Sequence, residues 1–182
     1  MSAEAKAAER YPWYDLVDGD ELQQGDILFA CPFYKVVGEP SEGEAELQIS
    51  EQTAVILTQS CDLALRRDGT YGVENVILCP LLQKHELASD ATFSKRDSWN
   101  QARKGQMPAY HVLNRFENEN VKLDYALADL SNLFTLPIET VKSFARNLGS
   151  RPRLNHPYCE HLSQAFARFF MRVGLPVDIP HF

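Results

Sequence analysis

Two short stretches carry apolar side chains with almost no polar interruption, Thr53–Thr58 (TAVILT) and Asn75–Cys79 (NVILC). Alternation is absent from both, so each is expected to be a strand buried on two faces. Pro80 follows the second and is expected to end it. Upstream, Leu22–Asp26 reads as a turn into a strand over Ile27–Cys31, which Pro32 is expected to stop. Residues 38–46 (GEPSEGEAE) are acidic and turn-rich, and read as an exposed loop. Arg67–Thr70 (RDGT) marks a turn.

The pattern then changes. Residues 84–106 are polar, with Leu87, Ala91, Trp99 and Ala102 as sparse anchors, and read as a helical insertion. Tyr110–Phe116 alternates as a strand, Glu117–Asn120 (ENEN) turns, and Val121–Ala128 returns to complete a hairpin. Pro137 suits a helix start. Ile138, Val141, Ala145 and Leu148 then fall on one face, and Gly149 is placed to close the helix in a left-handed cap. Pro152 and Pro157 interrupt the chain. A last helix, Glu160 to Val173, carries Leu162, Phe166, Phe169, Phe170 and Val173 as its apolar stripe. Residues 1–10 read as a mobile tail, with Tyr11–Tyr14 docking on the domain. No helix separates the first three strands. That argues against a doubly wound parallel sheet and for a small antiparallel barrel with helices added.

Length fits one domain: 182 residues with 45% hydrophobic and 24% charged side chains leave enough chain for a core without staples. The expected division is a tail and docking segment over 1–20, a barrel over 21–148 with its insertion at 84–106, and a helical extension over 149–182. No apolar run reaches membrane-spanning length and the first residues lack a secretory pattern. Cys31, Cys61, Cys79 and Cys159 are therefore expected to be reduced thiols in a cytoplasmic protein with no membrane partner.

Charge is placed unevenly. The net charge is −7, yet residues 1–90 hold 6 Lys/Arg against 17 Asp/Glu. Residues 91–182 hold 12 against 8. On the last helix His161, Gln164, Arg168 and Arg172 lie within about 80° of one another, away from the Phe stripe. Arg151 and Arg153 precede them. One reading is an anion-binding ridge for RNA or DNA phosphates. The other is a solvated face, or salt bridges to the acidic first half.

The run Thr58-Gln59-Ser60-Cys61-Asp62 sets polar groups and a thiol directly after a buried strand, where loops commonly build sites. Thr58, Gln59 and Ser60 are candidate binding residues. Cys61 is a candidate nucleophile, with Asp62 and His161 or His156 as partners, because a nucleophilic thiol needs a base or a positive charge nearby. The structural reading of the same run is a small buried thiol and an Asp capping a turn or a short helix at Leu63–Arg66. His156, Cys159, Glu160 and His161 cluster in sequence, but no second pair completes a zinc site, and neither a metal nor another cofactor is expected. No phosphate-binding glycine loop, HExxH or GxSxG motif occurs.

The strands resemble a known family. Gln24-Gly25-Asp26-Ile27-Leu28, Ala54–Thr58 and Val76–Leu81 follow the order of the G-D-I-V/L, V-V-L-S and V-x-C/A-P-I strands of the MazF/PemK/Kid toxins. The segment Tyr125–Leu136 resembles the later strand that leads into a helix there. The resemblance covers roughly residues 22–148. It implies an SH3-like, partly open antiparallel barrel, often dimeric, in a bacterial toxin–antitoxin or phage-defence setting. Members are sequence-specific endoribonucleases, and related barrels poison gyrase. The family's catalytic Arg is absent: its R-P pair is replaced by Gln52-Thr53. Leu81, Leu82 and Gln83 follow Pro80 where the family places Ser or Thr. An amide offers phosphate no charged fork. The expectation is a degenerate, non-catalytic barrel that binds nucleic acid or a protein partner, with a homodimer as one assembly. The alternatives are an enzyme using Cys61, an active ribonuclease with a non-standard site, and a purely structural subunit.

Overall fold

The computed structural model describes residues 12–41 and 44–171. The expected tail at 1–10 and the positions Tyr11, Arg172 and Val173 fall outside the described residues. The described chain is mainly β with four α-helices. In order come β1 (Tyr14–Val17), β2 (Ile27–Ser41), β3 (Glu44–Ile56), α1 (Ser60–Leu63), β4 (Asn75–Gln83), a 3-10 turn (Glu86–Ser89) and α2 (Arg96–Arg103). They are followed by β5 (Tyr110–Leu113), β6 (Phe116–Glu117), β7 (Lys122–Leu123), β8 (Ala126–Asp129), β9 (Phe134–Pro137), α3 (Ile138–Leu148), β10 (Arg151–Leu154) and α4 (Tyr158–Phe170).

The main sheet runs β2-β3-β4-β8-β5, with every pair antiparallel, and it does not close on itself. β8 and β9 are successive partners of β4: Gln83 opposes Ala126 and Leu81 opposes Ala128, then Leu78 opposes Phe134 and Asn75 opposes Pro137. The residues between them loop out around Asp129. Its carboxylate accepts from the Ser131 backbone N–H and from the Asn132 side-chain amide.

The two apolar runs sit at the centre of this sheet, between two layers. Ala54, Ile56, Val76 and Leu78 face α3 through Ile138, Val141 and Ala145. Val55, Leu57, Cys79 and Leu81 face the other side, where Tyr14, Leu154 and Leu162 bring in β1, β10 and α4. A strand covered on both faces needs apolar residues at every position, which is why alternation is missing there. A third cluster (Leu87, Phe93, Ala102, Leu127) seats the insertion, which is one 3-10 turn and one short helix.

Several boundaries differ from expectation. β2 does not stop at Pro32 but continues to Ser41, and β3 begins at Glu44 instead of Thr53. Most of the expected loop at 38–46 is therefore ribbon. The register shifts between Leu28 and Cys31, where Ala30 takes a positive φ of 52°, so a bulge absorbs the irregularity. Pro32 is then tolerated because β2 is an edge strand, whose outer N–H positions need no partner. Pro80 likewise does not end β4. It lies where β4 leaves β3 and takes up β8. The segment around Pro152 forms β10, which pairs with β1 as a separate two-stranded sheet. The expected hairpin forms in pieces, β5 with β8 and β6 with β7. α3 starts directly after Pro137 and ends at Gly149, whose φ is 76°. α4 begins two residues before the expected Glu160.

Candidate functional site

Position in the fold divides the basic residues of the C-terminal third into two groups. β10 lies along the start of β2, and there Arg151 and Asp26 are both fully buried, at 0% exposure. Arg151 Nε donates to Asp26 Oδ2 at 3.0 Å, and its remaining nitrogens donate to the Gly19 and Glu21 carbonyls at 2.7 and 2.8 Å. Arg153 donates to both oxygens of the same carboxylate and to the Glu21 carbonyl. One Asp thus holds two guanidinium groups, and the donors of Arg151 are spent inside the protein. Of the two readings of the sequence, internal pairing with the acidic first half is the one this geometry gives for Arg151. Arg153 is largely taken up in the same way.

Gly25 fixes this junction. Its φ is +87°, and a Cβ there would sit 2.9 Å from Leu154 Cβ and 3.3 Å from Cys159 Sγ. Only glycine combines that conformation with that approach. The Leu154 N–H donates to the Gly25 carbonyl, and the Asn155 N–H donates to the Trp13 carbonyl. α4 therefore leaves β10 in a fixed direction.

Along α4, Leu162 is buried while His161, Gln164 and Arg168 are exposed, as the helical spacing requires. These three side chains line a cavity of about 630 Å³. Its opposite wall is β5 with Tyr110 and His111. Its rim is the end of α2 with Arg103 and the start of the α2–β5 connection with Lys104, and Trp13 and Tyr125 add aromatic surface. No Asp or Glu lines it among the described residues. The Trp13 ring stacks on Tyr158 at 3.7 Å between centroids and 11° between planes, which anchors that wall to the first turn of α4.

His111 is the innermost titratable group. Burial, and then the nearby His161, push its pKa down to about 4. At neutral pH it is an uncharged imidazole, able to donate from one nitrogen and accept at the other. Tyr110 beside it is pushed up, first by burial and then by Asp129 and Asp90. The cavity thus combines permanent cations at its mouth, neutral polar groups inside and aromatic walls.

The Thr58–Asp62 run lies elsewhere. Thr58 is buried, and its hydroxyl accepts from the Ile77 N–H at 2.7 Å, tying β3 to β4. Ser60 Oγ accepts from the Gln24 N–H at 3.1 Å. Gln59, Ser60 and Cys61 are exposed and border a second cavity, of about 560 Å³, shared with Arg153, His156, Cys159 and Glu160. Cys61 is exposed, not buried, and the short helix is α1 itself, Ser60–Leu63, upstream of the expected Leu63–Arg66. His156, not His161, shares the cavity with Cys61, and its Nδ1 pairs with Glu160. Asp62 does not line that cavity. Cys159 is half-buried and burial pushes its thiol up to about 11. Gln164 borders both cavities. Among the described residues no three His, Cys, Asp or Glu side chains converge to hold a metal ion.

Arg103, Lys104, Tyr110, His111 and Trp13 did not emerge from the sequence as site residues. The adjacent Arg-Lys pair at the end of the insertion was the one local sign. No protein-family model matches the chain, and no curated protein or solved structure matches it significantly. Among the described residues no helix is long and apolar enough to cross a membrane.

Proposed function

We propose that this chain binds single-stranded nucleic acid in the cavity between α4 and β5, without cleaving it, on an open barrel of MazF/PemK type. The observation that carries the reading is the lining itself. In a chain of net charge −7, a cavity bordered by Arg103, Lys104 and Arg168, with no carboxylate among the described residues that line it, is an exception to the surrounding field. Cations at the mouth suit phosphates, and aromatic walls suit an unstacked base. His111, Asn114 and Gln164 supply uncharged donors and acceptors for a base edge. The absence of the toxins' Arg, where Gln52 stands opposite Cys31 on the β2–β3 ribbon, supports the non-catalytic half.

Trp13 is a built-in reporter, since the chain has two tryptophans and Trp99 packs against Phe93 in the insertion. In a Trp99→Phe variant, titration with a single-stranded oligonucleotide should change Trp13 emission to saturation. Unchanged emission at concentrations that bind the oligonucleotide would place the ligand elsewhere. Incubation with total RNA should leave it intact; cleavage at a short motif, lost on a point substitution in the barrel, would contradict the non-catalytic half.

A second reading rests on the other cavity. Cys61 shares it with His156, and Glu160 engages His156 at Nδ1, leaving Nε2 free to take a thiol proton. On that reading Cys61 reacts with iodoacetamide faster than a free thiol at pH 7, and His156→Ala removes the excess.

A further inference from the structure

Resting on the reading of the α4–β5 cavity as a nucleic-acid site, we propose that this cavity takes one nucleotide by a terminal phosphomonoester, clamped between Arg168 of α4 and the Arg103–Lys104 pair at the end of α2. The ligand is a phosphorylated strand end or a free mononucleotide, which share that group, and not the run of a strand. The three cations have no internal partner. Among the described residues no ion pair or side-chain hydrogen bond engages Arg103, Lys104 or Arg168. Arg146, Arg151 and Arg153, by contrast, are each held by the carboxylate of Asp20 or Asp26. Arg103 and Arg168 each lie in the last turn of a helix, where the negative helix end favours a cation. Two helix ends thus bring positive charge to one mouth, with no carboxylate among the described lining residues to neutralise it.

Charge and donor geometry select the phosphate. A phosphodiester within a strand carries a single negative charge. A phosphomonoester carries about −1.5 to −2 at pH 7 and offers three strong acceptor oxygens. Two guanidinium forks and one ammonium, arriving from two helices, match the second better. Deeper in, the lining polar groups carry no charge at neutral pH: burial keeps His111 neutral, and Asn114 is an amide. The charged end of the ligand therefore stays at the mouth, while sugar and base go inward against Tyr110 and Trp13.

Size and field select a single nucleotide. Proteins that follow a strand use a groove tracking about 4–16 nucleotides per module. The cavity, at about 630 Å³, falls instead in the range of about 300–1,000 Å³ typical of small-ligand sites. Beyond it, the chain's net charge of −7 repels each further phosphate. Lengthening the strand therefore adds repulsion without adding a cation. An end enters by one opening, whereas an internal nucleotide would need its strand to leave as well.

The test uses the full chain and oligouridylate decamers ending in a 5′-phosphate, a 3′-phosphate or hydroxyls alone, beside uridine 5′- and 3′-monophosphate and uridine. Calorimetric titration should show at least one phosphorylated decamer binding about tenfold or more tighter than the hydroxyl-ended one. The matching monophosphate should come within about tenfold of that decamer, with uridine at least about tenfold weaker again. Lys104→Ala and Arg168→Ala, on different elements, should each shrink the preference for the phosphate severalfold while the thermal melt stays unchanged. The tightest phosphorylated probe names the source, a strand end or a free nucleotide. Equal, saturable binding of all three decamers overturns this proposal and leaves strand binding standing. Binding of a monophosphate but of no decamer upholds it and refutes strand binding. A phosphate preference that both variants leave intact places the group elsewhere and overturns the proposal, and binding of no probe overturns both readings.

Discussion

The Arg151 guanidinium meets the Asp26 carboxylate with Nη2 at 2.9 Å from Oδ2, and neither side chain touches solvent. This pair ties the start of β10 to the residue before β2, and β10 leads into the helix that carries His161, Gln164 and Arg168. Removing one partner of a buried ion pair leaves the other uncompensated and costs about 3–5 kcal/mol. Asp26→Ala should therefore destabilise strongly, because it strands two guanidinium groups. Arg153→Ala should cost less, since Arg151 and the Gln23 N–H still donate to Oδ2 and keep the buried charge paired. Urea denaturation of both variants checks the ranking.

The pH dependence of stability follows from His111. Its folded pKa of about 4 lies below the ordinary value near 6.5. Between those two values the unfolded chain binds a proton that the folded chain does not. His111 thus contributes stability in full above about pH 6.5, and that contribution is lost as pH falls toward 4, on the order of 3 kcal/mol in all. Unfolding free energies for the wild type and His111→Asn at pH 7 and pH 5 should differ: the wild type loses more stability on acidification. Equal losses would show that His111 is as accessible to protons when folded as when unfolded.

Thiol reactivity should rank by burial. Cys61 is exposed, whereas Cys31 is buried and pushed up to about 12, and Cys79 is raised by burial and by Asp129. Alkylation of the native protein at pH 7.5 should label Cys61 first and Cys159 slowly, with Cys31 and Cys79 reacting only on unfolding. Mass spectrometry of a time course reads this order directly.

The junction glycine gives a fourth expectation. Gly25→Ala forces a Cβ against Leu154 and requires a left-handed φ from an L side chain. A loss of about 2 kcal/mol or more is expected from strain plus overpacking. Gly69 has a similar positive φ but open space around it, so Gly69→Ala should cost only the conformational part. Thermal melts of the two variants separate the terms.

What could be read from the sequence was what local pattern encodes. Thr53–Thr58 and Asn75–Cys79 announced themselves because both of their faces are covered. α3 was legible because Pro137 and Gly149 bracket one apolar stripe. The ribbon was not, since Pro32 and a Glu- and Gly-rich segment look like breakers until the bulge at Ala30 and the free edge of β2 are known. Arg151 looked like a surface charge because its partner, Asp26, stands 125 residues earlier. The ridge of α4 could be placed from helical spacing alone. The cavity it lines could not, because Trp13, Lys104 and His111 reach it from three separate segments. Nor could the separation of Cys61 from His161 into different cavities be inferred from order along the chain.

Affinity for a labelled single-stranded RNA, measured at two salt concentrations for the wild type, Arg168→Ala and Arg153→Ala, tests the central claim most directly. Arg168 is exposed at the cavity mouth, and Arg153 is paired to Asp26. The account predicts that Arg168→Ala weakens binding, lowers the salt slope by about one, and shifts stability by no more than about 0.5 kcal/mol. Arg153→Ala should lower stability at an unchanged salt slope. The account is contradicted if Arg168→Ala lowers the melting temperature and leaves affinity and slope as they were.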